Sequence, residues 1–147
     1  MKAGRVVILL AGRRAGKKAV IVKPYDEGSK KGTGKQFPHA LVAGVEREPL
    51  KVHKRMKKGK IEKRSRVKPF VKFVNYNHLL PTRFQVGGEF GSEELKKSVN
   101  EASMATPATR KAVKDELKKV FTERYNNPEA DNEKQPNVDF FFKKLRF

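Results

Sequence analysis

Residues 11–18 read AGRRAGKK, and Gly16 followed by Lys17 gives this stretch the outline of a relaxed phosphate-binding loop. Such a loop wraps backbone amides around a nucleotide's phosphates, brings a lysine to them, and uses the next residue's hydroxyl to hold magnesium. The next residue here is Lys18, which has no hydroxyl, and Ala19, Val20, Ile21 and Val22 follow where a helix would have to begin. Nucleotide hydrolysis is therefore not expected. The glycines suit a hairpin turn better, because glycine accepts left-handed backbone and lets the chain approach a phosphate closely. Other chemistries fail on inventory. The chain has no Cys, which removes thiol nucleophiles, thiolate zinc sites and disulfides. His39, His53 and His78 are scattered without paired ligand spacing, so no metal site is expected. No Gly-x-Ser-x-Gly nucleophile turn occurs. Glu93 with Glu94, and Asp115 with Glu116, read as solvated faces of polar, helix-like segments, and Gly87, Gly88 and Gly91 around Phe90 read as a bend. Neither an enzyme nor a cofactor is expected.

The remaining chemistry is charge. In 147 residues there are 35 Lys and Arg against 16 Asp and Glu, a formal net charge of +19. An excess of that size repels itself unless a polyanion lies nearby, and nucleic acid and an anionic membrane surface are the candidates. The longest apolar run near the start, Val6 to Ala11, is far short of the roughly 20 residues that span a bilayer. The chain reads as unprocessed and intracellular, with no membrane partner and no small-molecule substrate. Residues 1–90 hold 23 basic and 6 acidic side chains, whereas residues 91–147 hold 12 and 10. The attraction to a polyanion thus belongs to the first part. Its densest segment runs from Lys51 to Lys68, with ten basic residues and one acid, Glu62. Val52, Met56, Ile61 and Val67 interrupt the block, which predicts a short anchored face laying the cations along one path of RNA phosphates.

Val6 to Leu10 and Ala19 to Val22 are short β-branched runs on either side of the Gly-bounded turn, and they predict a β-hairpin. Residues Pro24 to Pro38 predict a cationic loop, with glycines among Lys30, Lys31 and Lys35. Leu41 to Val45 predicts a third strand. Val67 to Tyr76 predicts a fourth, and Pro69 puts it at an edge or a bulge. Beyond Gly91 the character changes. Thr106 followed by Pro107 is a helix start, and Val113, Leu117, Val120, Phe121 and Tyr125 recur on one helical face until Asn126, Asn127 and Pro128 stop it. The tail, Phe140 to Phe147, reads FFFKKLRF, and its apolar side must dock on something.

Lys2 to Tyr25, with alternating apolar and basic residues and a central Gly16, resembles a KOW motif, the hairpin element of ribosomal proteins and some transcription elongation factors. Asn75 to Phe84, NYNHLLPTRF, and the FFFKKLRF tail narrow this further. Together they resemble the eukaryotic "e"-type family twenty-seven of large-subunit (60S) ribosomal proteins, and the likeness runs essentially end to end. Phe140 departs from it, standing where that family commonly has Trp, and Ala19 stands where many KOW hairpins have Gly.

The resemblance implies a mainly β fold with an α extension: an SH3-like β-barrel built on the KOW hairpin within residues 1–90, then a helical extension and aromatic-basic tail over residues 91–147. It also implies a structural constituent of the cytosolic ribosome, in the nucleolus during assembly, held by large-subunit ribosomal RNA and neighbouring ribosomal proteins. On the two lines combined, Arg13, Arg14, Lys17 and Lys18 present charge around Gly16. Lys51, Lys54, Arg55, Lys57, Lys58 and Lys60 then track phosphates, continued by Lys63, Arg64, Arg66 and Lys68. Arg5, Arg83 and the loop residues Lys30, Lys31 and Lys35 complete the expected RNA contacts. A second reading stays open, a KOW-type transcription or RNA-processing factor that binds RNA transiently.

Overall fold

The two apolar runs flanking the basic turn become β1 (Arg5–Leu9) and β2 (Lys18–Tyr25), paired antiparallel with Val6 opposite Val20 and Ile8 opposite Lys18. This is the expected hairpin. A computed structural model describes residues 1–27, 35–86, 99–100, 104–127 and 135–146. In it β3 (His39–Arg47) pairs with β2, and β4 (Lys68–Asn75) pairs with β3. After a 3-10 turn at Tyr76–His78, β5 (Leu79–Gln85) returns to pair with β1. The order is β4-β3-β2-β1-β5, antiparallel throughout. The sheet is open. Among the described residues no ladder joins β4 to β5, so the strand pairing does not close the barrel that the resemblance implies.

Pro69 sits where its missing amide hydrogen does least harm. β4 is an edge strand, and the β3–β4 register shifts between Val45 and Arg47, opposite Pro69 and Lys68. That is the edge or bulge that a strand proline requires. β5 was not anticipated from sequence. Pro81 interrupts it and only Leu79 is buried, so it lacks the alternation that marks a half-buried strand.

Strand side chains alternate between faces, and the core divides accordingly. Val6, Val20, Val22, Leu41, Ala43, Val45 and Val71 belong to one cluster. Val7, Leu9, Ala19, Ile21, Ala40, Val42, Phe70 and Val74 belong to another. Helices complete the first cluster. α1 (Lys58–Arg64) contributes no buried residue, but α2 (Pro107–Asn126) supplies Val113, Leu117 and Phe121, and α3 (Gln135–Phe142) supplies Val138, Phe141 and Phe142. The Phe-rich tail therefore docks within its own chain. The second cluster consists of strand residues with Met1 and Tyr76 packed against it. Gly44 makes room there: a β-carbon on it would come within 2.5 Å of the Phe70 ring and 2.6 Å of the Lys18 carbonyl oxygen.

α2 begins where the sequence places it. The Thr106 hydroxyl accepts from the Thr109 amide at 3.3 Å, Thr109 returns the contact, and Pro107 occupies the first turn. This reciprocal arrangement satisfies amides that would otherwise lack partners.

Candidate nucleic-acid interface

The turn of the hairpin spans residues 10–17, and its cations do not all point outward. Arg13 is exposed. The Arg14 guanidinium lies 4.5 Å from the Phe70 ring centroid and 3.8 Å from a Glu46 carboxylate oxygen. Lys17 Nζ donates to both carboxylate oxygens of Glu48, at 3.0 and 3.1 Å. Arg14 and Lys17 are therefore partly committed to internal carboxylate and ring contacts.

Lys18 corrects the expectation that it presents charge at the turn. It is 4% exposed. As the first residue of β2 it shares the parity of Val20 and Val22, so it points to the helix-covered face. There Nζ donates to the Phe140 and Lys143 carbonyls and lies 4.2 Å from the Phe140 ring centroid. These carbonyls stand at the C-terminal end of α3, where acceptors lack helical partners and the helix dipole favours a cation. Burial lowers the Lys18 pKa, the Glu48 carboxylate opposes that shift, and the Lys143 charge adds to it.

Gly16 has φ +74°, in the left-handed region, and nothing lies within 4 Å of where its β-carbon would stand. The requirement is conformational, with no need of clearance. Gly16→Ala is expected to lower stability by about 1–2 kcal/mol, the cost of a left-handed L-residue, as a reduced midpoint in denaturant unfolding. The fold and the RNA-binding salt slope should persist.

The basic block begins just after β3 ends and runs to the start of β4. Lys51, Lys54, Arg55, Lys57, Lys58, Lys60, Lys63, Arg66 and Lys68 are exposed, and Arg64 is half-buried. α1 lies inside the block. Its N-cap, Lys57, makes no side-chain capping bond, and its first turn carries no acid. Two hydrogen bonds through Arg64 anchor it instead: its side-chain Nε donates to the Lys51 carbonyl at 2.8 Å, and its carbonyl accepts from the Leu50 amide at 2.8 Å. Of the four apolar residues, Met56 and Ile61 are half-buried, Val67 is buried and Val52 is exposed. The result is a short helix with most of its surface left to cations.

Turn and block meet at Glu46, which lies 3.8 Å from Arg14 and 3.3 Å from Lys68 Nζ. The fold thus assembles Arg13, Arg14, Lys17 and the block at one end of the sheet. Lys72, which sequence reasoning missed, belongs nearby: it is exposed, and its Nζ lies 3.8 Å from where a β-carbon on Gly12 would stand. The available signal was a single lysine within the apolar run of β4.

The other expected contacts lie elsewhere. Lys35 Nζ sits 3.7 Å from the Phe73 ring centroid, near the end of the sheet where His39 begins β3. Arg5 is half-buried opposite Gln85, and exposed Arg83 lies 5.2 Å from the Phe84 ring. Lys30 and Lys31 fall outside the described residues, as do Glu93, Glu94 and the 87–91 bend. His39 stacks on Tyr25 at 4.7 Å between centroids, and its Nδ1 donates to the Phe37 carbonyl at 2.8 Å. The residues after Gly16 and Lys17 enter strand β2 directly, unlike the strand-loop-helix of a nucleotide site.

Comparison with known proteins places the sequence in a family. The Ribosomal L27e protein family matches residues 6–147. Large ribosomal subunit protein eL27 of Tetrahymena thermophila is 50% identical over 147 residues, covering 100% of this chain and 97% of the relative. The proteins of that name from Candida albicans and Caenorhabditis elegans are 47% and 45% identical with the same coverage. An end-to-end match at these identities means that the chain belongs to the ribosomal L27e protein family.

Proposed function

We propose that the chain holds folded ribosomal RNA through the cationic end of its sheet, as a structural constituent of the large ribosomal subunit. Membership of the L27e family supports the assignment, and with it a structural, non-enzymatic role. The observation that carries the RNA contact is the exposed basic block rooted beside the hairpin turn. A-form RNA hides its major-groove base edges, so folded RNA is met largely through phosphates, hydroxyls and splayed bases. Lysines supply point charge, and arginines such as Arg13, Arg55 and Arg66 add bidentate phosphate contacts and stacking. Lys18 belongs to the chain's interior in this reading and is not among the contacts.

Residues 1–90 serve as the RNA-binding domain and residues 91–147 as an extension whose helices α2 and α3 pack on the first of the two clusters. The shared cluster of Val113, Leu117 and Phe121 with strand valines supports this. A KOW-type, SH3-like curl of the sheet is the finer reading of the fold. It is supported by the second cluster, whose strand residues are buried without a helix residue among them. The site of action is the cytosolic ribosome, with assembly in the nucleolus, beside other large-subunit proteins.

The test is RNA affinity as a function of salt. Each phosphate neutralised contributes roughly 0.7–0.9 to the slope of log affinity against log salt, so the parent should show a steep decline. Replacing Lys57, Lys58 and Lys60 together with Ala should reduce that slope by about 2. It should leave the thermal melt nearly unchanged, since α1 buries nothing. A flat salt response in the parent would remove the polyelectrolyte mechanism.

A further inference from the structure

α2 departs from the usual charge pattern of a helix. Its first turn holds no acidic residue, although negative charge is favoured there by the helix dipole; Arg110 closes that turn instead and Lys111 follows it. Lys111, Lys114 and Lys118 recur at intervals of three and four and so share one helical face. With a rise of 1.5 Å per residue they make a row about 10 Å long. That row faces the β3–β4 end of the sheet across a cleft of about 350 Å³, whose opposite wall carries Arg47, Arg66 and Lys68.

Six cations thus surround a space with two carboxylates, Glu46 and Asp115, also on its walls. Glu46 is already engaged by Lys68 at 3.3 Å and approached by Arg14 at 3.8 Å. Crowding like charges around a solvent-filled space is unfavourable unless an anion enters it. The volume suits a small ligand, but such pockets are lined mainly by hydrophobic and aromatic side chains with a few polar groups, whereas eight of the ten residues lining this one are charged. Arg66 and Lys68 are also the last cations of the 51–68 block. A phosphate path along that block therefore runs straight into the cleft.

We propose that the cleft between α2 and the β3–β4 end is a second phosphate-binding site, taking the sugar-phosphate backbone of a ribosomal RNA segment that continues from the basic block. It rests on the RNA-binding reading above and deepens it. The nearly neutral C-terminal part of the chain becomes the second jaw of a clamp, and its lysine row, not its net charge, makes it one.

The experiment compares the full-length parent with two variants on folded large-subunit ribosomal RNA. One carries Lys111→Gln, Lys114→Gln and Lys118→Gln, residues that keep helix propensity, and circular dichroism checks the helix. The other is the Lys57, Lys58, Lys60 to Ala variant. The cleft variant is expected to reduce the salt slope by about 2. Lys111, Lys114 and Lys118 of the parent should be protected from an amine-acylating reagent on the RNA complex, while Lys119 stays reactive. If the cleft variant keeps the parental slope while the block variant loses slope, the clamp is wrong and the primary RNA reading stands. If neither variant changes the slope, both fail. Protection that appears in assembled subunits but not with RNA alone would mean that a protein fills the cleft, and would overturn the proposal.

Discussion

Phe121→Ala is expected to lower the unfolding free energy by about 3–5 kcal/mol, the range for removing a buried aromatic ring. Phe121 is 0% exposed and meets Phe141 at 5.5 Å and Phe142 at 6.2 Å between centroids, in both cases nearly perpendicular. Edge-to-face pairs of this kind add to the simple burial of area. The same ring belongs to the cluster shared by α2, α3 and the sheet, so its loss weakens the joint between the helices and the strands. Denaturant unfolding followed by circular dichroism measures the effect. A loss below about 0.5 kcal/mol, within the range of ordinary surface changes, would mean that the helices and the sheet do not unfold as one core.

Lys18→Met separates a structural lysine from an RNA-contacting one. Methionine keeps much of the aliphatic length but cannot donate to the Phe140 and Lys143 carbonyls, and it forfeits the cation's contact with the Phe140 ring. Hydrogen bonds to charged groups are worth about 1.5–3 kcal/mol, so stability should fall by about that much. The tail should also loosen, seen as faster amide exchange over Asp139 to Phe142. At a temperature where the variant remains folded, its RNA salt slope should match the parent's. Arg13→Ala is the counterpart, with an unchanged melt and a reduced slope. A parental melt for Lys18→Met together with a reduced slope would return Lys18 to the RNA surface.

The contrast between these two residues shows how far the sequence could be read. β1 to β4 are legible because they are short, largely β-branched apolar runs bounded by turn-forming residues, and α2 is legible because Thr106-Pro107 announces its start and an apolar stripe marks its buried face. β5 is not, since a single buried residue and Pro81 leave no period to detect. α1 is not either: its like charges and Gly59 argue against a helix, and what anchors it are hydrogen bonds of the Arg64 side chain and carbonyl to residues more than ten positions away. For the site, exposure of the block follows from its composition. The inward turn of Lys18 depends on which face of β2 the helices cover, and the acceptors lie more than 120 residues away. Glu46 and Glu48, which engage Arg14 and Lys17, are equally invisible to local patterns.

The most direct measurement of the central claim is a high-salt wash of purified large ribosomal subunits, followed by sucrose-gradient sedimentation and detection of this chain. A structural constituent is enclosed by RNA and neighbouring proteins in the assembled subunit, so the chain should remain with the large-subunit peak through the wash even though salt weakens its individual phosphate contacts. Its release into the soluble fractions, with the subunit otherwise intact, would contradict the assignment and favour a factor that binds RNA transiently.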